Sequence, residues 1–287
     1  MIPYSAEKLL SLLPIPAADA HKYSRGRLVL VAGSTAYPGA VCLASLAGQR
    51  MGAGYLEVVT DEAIMGHVRA FRSSFVVRSE IDWLKDEPVS SVFGRPCGYV
   101  VGSGFYPRED RCEKLTFRVL GFANAPVVVD GGALDALATK KGRRLCEHRF
   151  IKGMPTIITP HAGEAARLAA PFGFPTDDAP VLATMLSLAY GVLVVLKGPM
   201  TWIADGEECY CMSEGTAALS KAGTGDVLAG MIGSLLAQGL DPFDACVLGT
   251  TLHARAATIA SRMLTMIAVS AEDVISFLPQ AMIEMGA

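Results

Sequence analysis

The residues best suited to chemistry lie together at Gly223-Thr224-Gly225-Asp226. A stretch of mostly small residues, 215–222, leads into them. An apolar pattern at helical spacing follows at once: Val227, Leu228, Met231, Ile232, Leu235 and Leu236, ended by Gly239. Gly223 and Gly225 therefore sit at a helix N-terminus, where unpaired backbone N–H groups and the positive end of the helix dipole favour an anion. Asp226 has the wrong charge for an anion site. It belongs there if it faces the group that attacks a phosphorus, where a hydroxyl acceptor needs a base. The plainer alternative is a glycine-capped helix whose first turn Asp226 stabilises. Two other phosphate motifs fit poorly. A dinucleotide fingerprint needs Gly or Ala where Leu228 stands and a place after the first strand, and no Gly-Lys-Ser/Thr triplet of a Walker A loop occurs in the chain.

The elements that must position this loop are legible as apolar runs of strand length at 28–31, 55–59, 99–101, 127–129, 156–158 and 192–196. Continuous Val, Ile and Leu runs predict strands buried on both faces, as in a parallel sheet covered by helices. Helical patterns alternate with them over 39–52, 108–121, 131–150, 162–170, 179–190, 226–238 and 242–264, the last opened by Asp241 as N-cap and Pro242 at the first helical position. Residues 1–26 read as a short helix and a loop, and 201–212 as a hairpin turning at Asp205-Gly206. The expected fold is a doubly wound α/β protein. Ligands in such sheets bind beyond the carboxyl ends of the strands. There the chain carries Gly33-Ser34 with Tyr37-Pro38-Gly39-Ala40, then Gly102-Ser103-Gly104, Asp130-Gly131-Gly132, Thr159-Pro160-His161-Ala162-Gly163-Glu164, and Lys197-Gly198. Glycines, acids, a histidine and a lysine thus converge on one edge. With Gly-Thr-Gly-Asp they point to a nucleotide-phosphate site.

Composition narrows the class. The chain has 287 residues, 51% of them hydrophobic, which suffices for the core of one large α/β unit. A net charge of -3 offers no basic footprint for nucleic acid. The N-terminus lacks a basic segment followed by an apolar one, so no signal peptide is expected. The longest apolar stretch, 181–196, is broken at Gly191 and reads as helix, turn and strand rather than a membrane span. Seven scattered cysteines suit a reducing cytoplasm, and the Cys209-x-Cys211 pair has no second pair with which to hold zinc.

Taken together these motifs resemble the ribokinase-like superfamily and, within it, the NAD(P)H-hydrate dehydratase family. The resemblance runs from His21-Lys22 to about Ala257. Its carriers are Ala32-Gly33-Ser34 with Tyr37-Pro38-Gly39-Ala40, Gly102-Ser103-Gly104, Val129-Asp130 with Ala133-Leu134, the 159–164 block, Leu196-Lys197-Gly198 with Thr201, the run 223–230, and Leu252-His253. Gly-Thr-Gly-Asp identifies only the superfamily; the 159–164 and 33–40 blocks are the more specific ones. The chain departs from the family pattern in having Thr216-Ala217-Ala218-Leu219 for Asn-Pro-Gly-Met, Gly132 for a second acid after Asp130, Tyr23 for Gly, and no Pro-Glu pair within 70–80.

The resemblance implies a lyase acting on NADH or NADPH hydrated at C6 of the nicotinamide ring. The C6 hydroxyl is phosphorylated at the expense of ADP, in bacterial-type members, or of ATP, and phosphate then leaves. It assigns Asp226 as the base and as part of the substrate site. Ala40, Gly104 and His161 match positions for the hydrated dinucleotide. Lys197, Gly198, Pro199, Met200 and Thr201, with Gly223, Thr224 and Gly225, match the nucleotide site. Glu164 and Asp130 are candidates to hold Mg²⁺ through water. It further implies one dehydratase unit over 1–287 with no epimerase domain, and a homo-oligomer, a tetramer, that binds neither nucleic acid nor membrane. Simpler roles exist for several of these residues: Lys197 as a surface ion-pair partner, His161 as a hydrogen-bonded loop residue, Glu164 as a helix cap, Asp130 as a loop-orienting group and His253 as a structural residue of its helix. Two other functions stay open at this point, a ribokinase-like kinase for a small vitamin precursor and a non-catalytic nucleotide sensor.

Overall fold

A computed structural model describes residues 4–106 and 109–287. Its nine strands form one sheet in the order β3-β2-β1-β4-β5-β6-β7-β8-β9. The strands are β1 Arg27–Val31, β2 Tyr55–Thr60, β3 Val76–Ser79, β4 Cys97–Val101, β5 Val127–Val129, β6 Thr156–Ile158, β7 Leu193–Leu196, β8 Thr201–Ala204 and β9 Cys209–Met212. All pairings from β3 to β7 are parallel, and β8 and β9 add an antiparallel hairpin at one edge. The hairpin turns at Asp205 and Gly206, as expected.

Side-chain alternation along each strand feeds two cores. Leu28 and Leu30 face one layer while Val29 and Val31 face the other, and Val58, Val100 and Val128 repeat the division against Val59, Val101 and Val129. The first layer holds α1 Ala6–Ser11, α2 Pro38–Arg50, α3 Met65–Phe71, α10 Thr224–Ala237, α11 Pro242–Leu264 and α12 Ala271–Met285. The second holds α4 Glu80–Trp83, α5 Asp110–Phe122, α6 Ala133–Leu137, α7 Lys140–Ile151, α8 Ala162–Ala169 and α9 Ala179–Tyr190. This is the layered α/β architecture the apolar runs predict.

Several local expectations change. The single helix expected over 131–150 is two, α6 and α7, because the Thr139 hydroxyl accepts from the Gly142 N–H at 3.0 Å and restarts the chain as an N-cap. Strand β3 and helices α3, α4 and α12 were not anticipated. The helix expected from 108 begins at Asp110, and its expected first residue lies outside the described residues, as do the first three residues of the N-terminus. Position matters most for α10. It packs so closely on α2 that a Cβ at Gly230 would stand 2.0 Å from the Ala44 carbonyl oxygen. That close approach holds the N-terminus of α10 at the carboxyl edge of the sheet.

Candidate active site

The strand order reverses at β1 and β4. From β1 the chain crosses to α2 in one layer, and from β4 it crosses to α5 in the other, so a crevice opens between the two strand ends. The crevice walls are tied together. The Gly33 N–H donates to the Ser103 carbonyl at 2.8 Å, and the Ser34 hydroxyl donates to the Gly104 carbonyl at 2.8 Å. Gly104 has φ +73°, and a Cβ there would lie 2.6 Å from the Ala40 Cβ. Ala40 and Gly104, far apart in sequence, are therefore neighbours. Half-exposed Tyr37 and Tyr106 flank them, with rings near parallel and centroids 6.4 Å apart.

Beside the crevice, α10 begins. Gly223 is its N-cap with φ +92°, a left-handed conformation that glycine adopts without strain. The Thr224 hydroxyl donates to the carbonyls of Leu219 at 2.7 Å and Lys221 at 2.9 Å, fastening the small-residue loop to the helix. First-turn N–H groups at Gly225 and Asp226 have no intrahelical acceptor. The Lys197 side chain lies close by: a Cβ on Gly225 would be 3.2 Å from Lys197 Nζ.

Lys197 is the centre of a charge cluster. Its ammonium donates to Asp130 Oδ1 at 3.1 Å and stands 4.0 Å from Glu164 Oε2. Asp130 is buried and fully engaged, accepting also from the Thr159 hydroxyl on Oδ1 at 2.7 Å and from the Ser103 hydroxyl on Oδ2 at 3.1 Å. Burial alone would lower the Lys197 pKa, but the charges of Asp130 and Glu164 outweigh it and raise it. Burial raises the Glu164 carboxyl, against the pull of Lys197. Asp226 is pushed up to about 7, chiefly by burial and then by the negative charge of Asp130, with the ammonium of Lys197 working the other way. A carboxylate in that range exchanges a proton near neutral pH, the property a general base needs. The cluster lies between the crevice, which it reaches through Ser103, and a second space that it reaches through Lys197.

That second space is a cavity of about 450 Å³ lined by Lys197, Gly198, Pro199, Thr201, Thr224 and Gly225, among others. His161 and His253 also line it. Met200, half-exposed, and Gly223 are outside the lining set, as are Asp226, Ala40 and Gly104. The expected nucleotide residues thus mostly share one wall. His161 joins that wall rather than the crevice holding Ala40 and Gly104. Its own geometry is that of a helix cap: Nδ1 accepts from the Gly163 N–H at 3.0 Å and the Glu164 N–H at 3.3 Å, and Glu164 Oε2 accepts from the His161 N–H at 2.8 Å. The capping role considered for Glu164 is therefore real.

The acids do not present a ready metal site. Lys197 occupies the place between Asp130 and Glu164, and the Asp130 oxygens are committed to Thr159, Lys197 and Ser103. Among the described residues no group of three or more His, Cys, Asp or Glu side chains could hold a metal ion. Direct Mg²⁺ ligation does not fit these side chains. Sequence reading gave no role to Ser103, which links the acids to the crevice. It treated His253 as structural, yet the side chain lines the cavity. Ser103 was findable as the polar residue in a Gly-x-Gly strand end; His253 was not, since it is one polar residue in a long apolar helix.

The fold and this edge-on arrangement define a ribokinase-like α/β protein. The chain resembles the ADP/ATP-dependent NAD(P)H-hydrate dehydratase of Bacillus subtilis, solved after co-crystallisation with ATP and Mg²⁺, at TM-score 0.81 and 27% identity over 98% of each chain. It is 32% identical over 247 residues to the ADP-dependent (S)-NAD(P)H-hydrate dehydratase of Neisseria meningitidis, covering 85% of this chain and 80% of that protein. It is 31% identical over 282 residues to the bifunctional NAD(P)H-hydrate repair enzyme Nnr of Moorella thermoacetica, covering 94% of this chain but 51% of that protein. The chain spans about half the length of such bifunctional relatives. The NAD(P)H-hydrate dehydratase family model matches residues 28–280, and the chain belongs to that family.

Proposed function

We propose that this chain dehydrates NADH or NADPH hydrated at C6 of the nicotinamide ring, using ADP as co-substrate: a hydro-lyase of nicotinamide cofactor repair. The observation that carries the reading is the position of Asp226, at the mouth of the anion loop and in the charge cluster that joins the crevice to the cavity. The hydrated dinucleotide would enter the crevice at Ala40 and Gly104 and extend toward the cavity wall on which His161 stands. The nucleotide would lie along Lys197, Gly198, Pro199, Met200 and Thr201, its phosphates on Gly223, Thr224 and Gly225.

Hydroxide is a poor leaving group, which explains a kinase-like site in a lyase. Asp226 takes the proton of the C6 hydroxyl as that oxygen attacks the terminal phosphorus of ADP. The bond from that phosphorus to the AMP oxygen breaks. Backbone N–H groups at the start of α10 stabilise the charge on the moving phosphoryl group. The ring nitrogen then pushes phosphate off C6, and loss of a proton from C5 restores the dihydropyridine. The products are NAD(P)H, AMP, phosphate and a proton. Mg²⁺ belongs in this proposal as a companion of the nucleotide phosphates, within reach of Asp130 and Glu164 only through water.

Residues 1–287 acting as one dehydratase unit, a cytoplasmic location and a homotetrameric assembly belong to the same proposal. Among the described residues no helix is long and apolar enough to cross a membrane. The test is to incubate the protein with hydrated NADH, Mg²⁺ and ADP while following nicotinamide absorbance and free phosphate. Both should rise together, faster with ADP than with ATP. No recovery with either nucleotide, by folded protein that binds ADP, would sink the dehydratase reading and favour a small-molecule kinase.

A further inference from the structure

One guanidinium braces both walls of the crevice. Arg111 lies in the first turn of α5, and its Nη2 donates to the Gly33 carbonyl at 3.0 Å. Nη2 and Nε also donate to the Glu80 carboxylate, at 2.7 and 2.8 Å, so the ion pair is a forked one. The guanidinium carbon stands 5.2 Å from the centre of the Phe105 ring, within range of the attraction between a cation and an aromatic face. One side chain therefore reaches the turn after β1 through Gly33, the turn after β4 through Phe105, and the start of α4, after β3, through Glu80. The Arg111 and Glu80 side chains are only 21% and 16% exposed, which sets this pair apart from loose surface pairs that water screens.

The turn that Arg111 grips is the one on which the crevice depends. Gly33 has φ +83°. The peptide before it is fixed at both ends, since the Thr60 hydroxyl donates to the Ala32 carbonyl at 2.7 Å and the Gly33 N–H donates to the Ser103 carbonyl. The peptide after it is fixed by Arg111. On the other wall the Phe105 N–H closes its turn on the Gly102 carbonyl at 2.9 Å, and the Phe105 ring is buried against Arg111. The two walls meet here: a Cβ on Gly104 would lie 3.4 Å from Gly33 Cα as well as 2.6 Å from Ala40 Cβ. A shift of the Gly33 peptide is therefore passed to Gly104, and with it to Ala40. We propose that Arg111 is a positioning residue for the hydrated dinucleotide: anchored by Glu80, it holds the Gly33 carbonyl and the Phe105 turn and so sets the gap between the walls that carry Ala40 and Gly104. The inference rests on the dinucleotide reading of the crevice and adds to it a residue that acts from behind the walls.

Arg111→Met keeps the reach of the side chain and removes its donors. Its KM for the hydrated dinucleotide should rise about tenfold, the order expected when one charge-assisted hydrogen bond no longer preorganises a site, while the Kd for ADP stays within about twofold. Glu80→Gln, which keeps the shape and removes only the charge, should raise the KM in the same direction. Arg111→Lys keeps the charge but not the fork, and should recover the melting temperature more fully than the KM. Hydrogen exchange read by mass spectrometry needs no turnover: in Arg111→Met, peptides covering 31–36 and 102–106 should exchange faster, and those covering 215–226 should exchange as in the wild type. A wild-type KM in folded Arg111→Met, a KM that merely follows the melting temperature across these variants, equal losses for dinucleotide and ADP, or unaltered exchange at 31–36 would overturn the role of Arg111. Should Arg111→Met not fold, Glu80→Gln decides by the same readings. A wild type that binds ADP yet never restores the hydrate would instead sink the dinucleotide reading itself, and the role of Arg111 with it.

Discussion

Replacing Asp226 by Asn should stabilise the protein at alkaline pH while destroying its activity. In the folded chain the Asp226 carboxyl is raised from 3.8 to about 7, first by burial and then by Asp130. A carboxyl raised in this way binds its proton more tightly folded than unfolded. Its contribution to stability is therefore greatest below pH 4, declines as pH rises to 7, and is flat above. At about 1.4 kcal/mol for each pH unit between the two values, the full penalty is about 4 kcal/mol. Asp226 is only half-buried, and screening by water brings the expected figure to about 1–3 kcal/mol. Urea denaturation of the wild type and Asp226→Asn at pH 5 and pH 8.5 reads it directly: the variant should gain on the wild type as pH rises. Turnover should fall by about 10²–10⁴ because the base is gone, with ADP affinity unchanged. Wild-type turnover should climb through pH 7 and level off. A variant less stable than the wild type at pH 8.5, or one of near-normal turnover, would return Asp226 to the role of an ordinary first-turn acid.

Lys197→Ala should weaken ADP binding and also cost about 3–5 kcal/mol of stability, because Asp130 and Glu164 lose the ammonium between them; an unchanged melting temperature would confine Lys197 to the nucleotide. His161→Ala should lose a helix cap worth about 1 kcal/mol and raise the KM for the hydrated dinucleotide more than the Kd for ADP. Equal effects on the two ligands would assign His161 to the cavity wall alone. Arg149→Leu removes a buried guanidinium that donates to the carbonyls of Ala123, Ala125 and Pro155 and to the Thr156 hydroxyl. It should cost about 3–5 kcal/mol in denaturation experiments while leaving turnover per folded molecule intact.

Much of this molecule could be read from its residues. The strands at 127–129 and 156–158 and the helices at 179–190 and 242–264 stand where the apolar runs and caps put them. The reason is local: a buried parallel strand needs an unbroken apolar run, and Asp178, Asp241 and Gly191 mark helix ends by their own hydrogen bonding or backbone freedom. The start of α10 at Gly223 is legible for the same reason. Helix α12 was legible too, through the capping box of Ser270 and Asp273 before Val274, Ile275 and Leu278, but Pro279 interrupts the pattern. The short β3 has too few residues to announce itself.

What the residues alone could not decide is who meets whom. Sheet order arises from burying both faces of seven parallel strands at once, and no single strand carries that information. The reversal between β1 and β4 brings Ala40 to Gly104 and opens the crevice. Likewise the list of strand-end residues contains Asp130, Glu164, Lys197 and Asp226, but not that Lys197 stands among the acids, that Thr159 and Ser103 saturate Asp130, or that Asp226 is thereby lifted toward neutral pH. Those properties depend on distances of a few ångströms and on exclusion of water, which exist only once the layers have packed. The sequence by itself determined most of the elements, the helix start at Gly223 and the family. The tertiary structure decided the raised pKa of Asp226, the commitment of Asp130 and the place of Lys197 among the acids, because charge interactions and burial belong to the assembled edge and not to any segment of it.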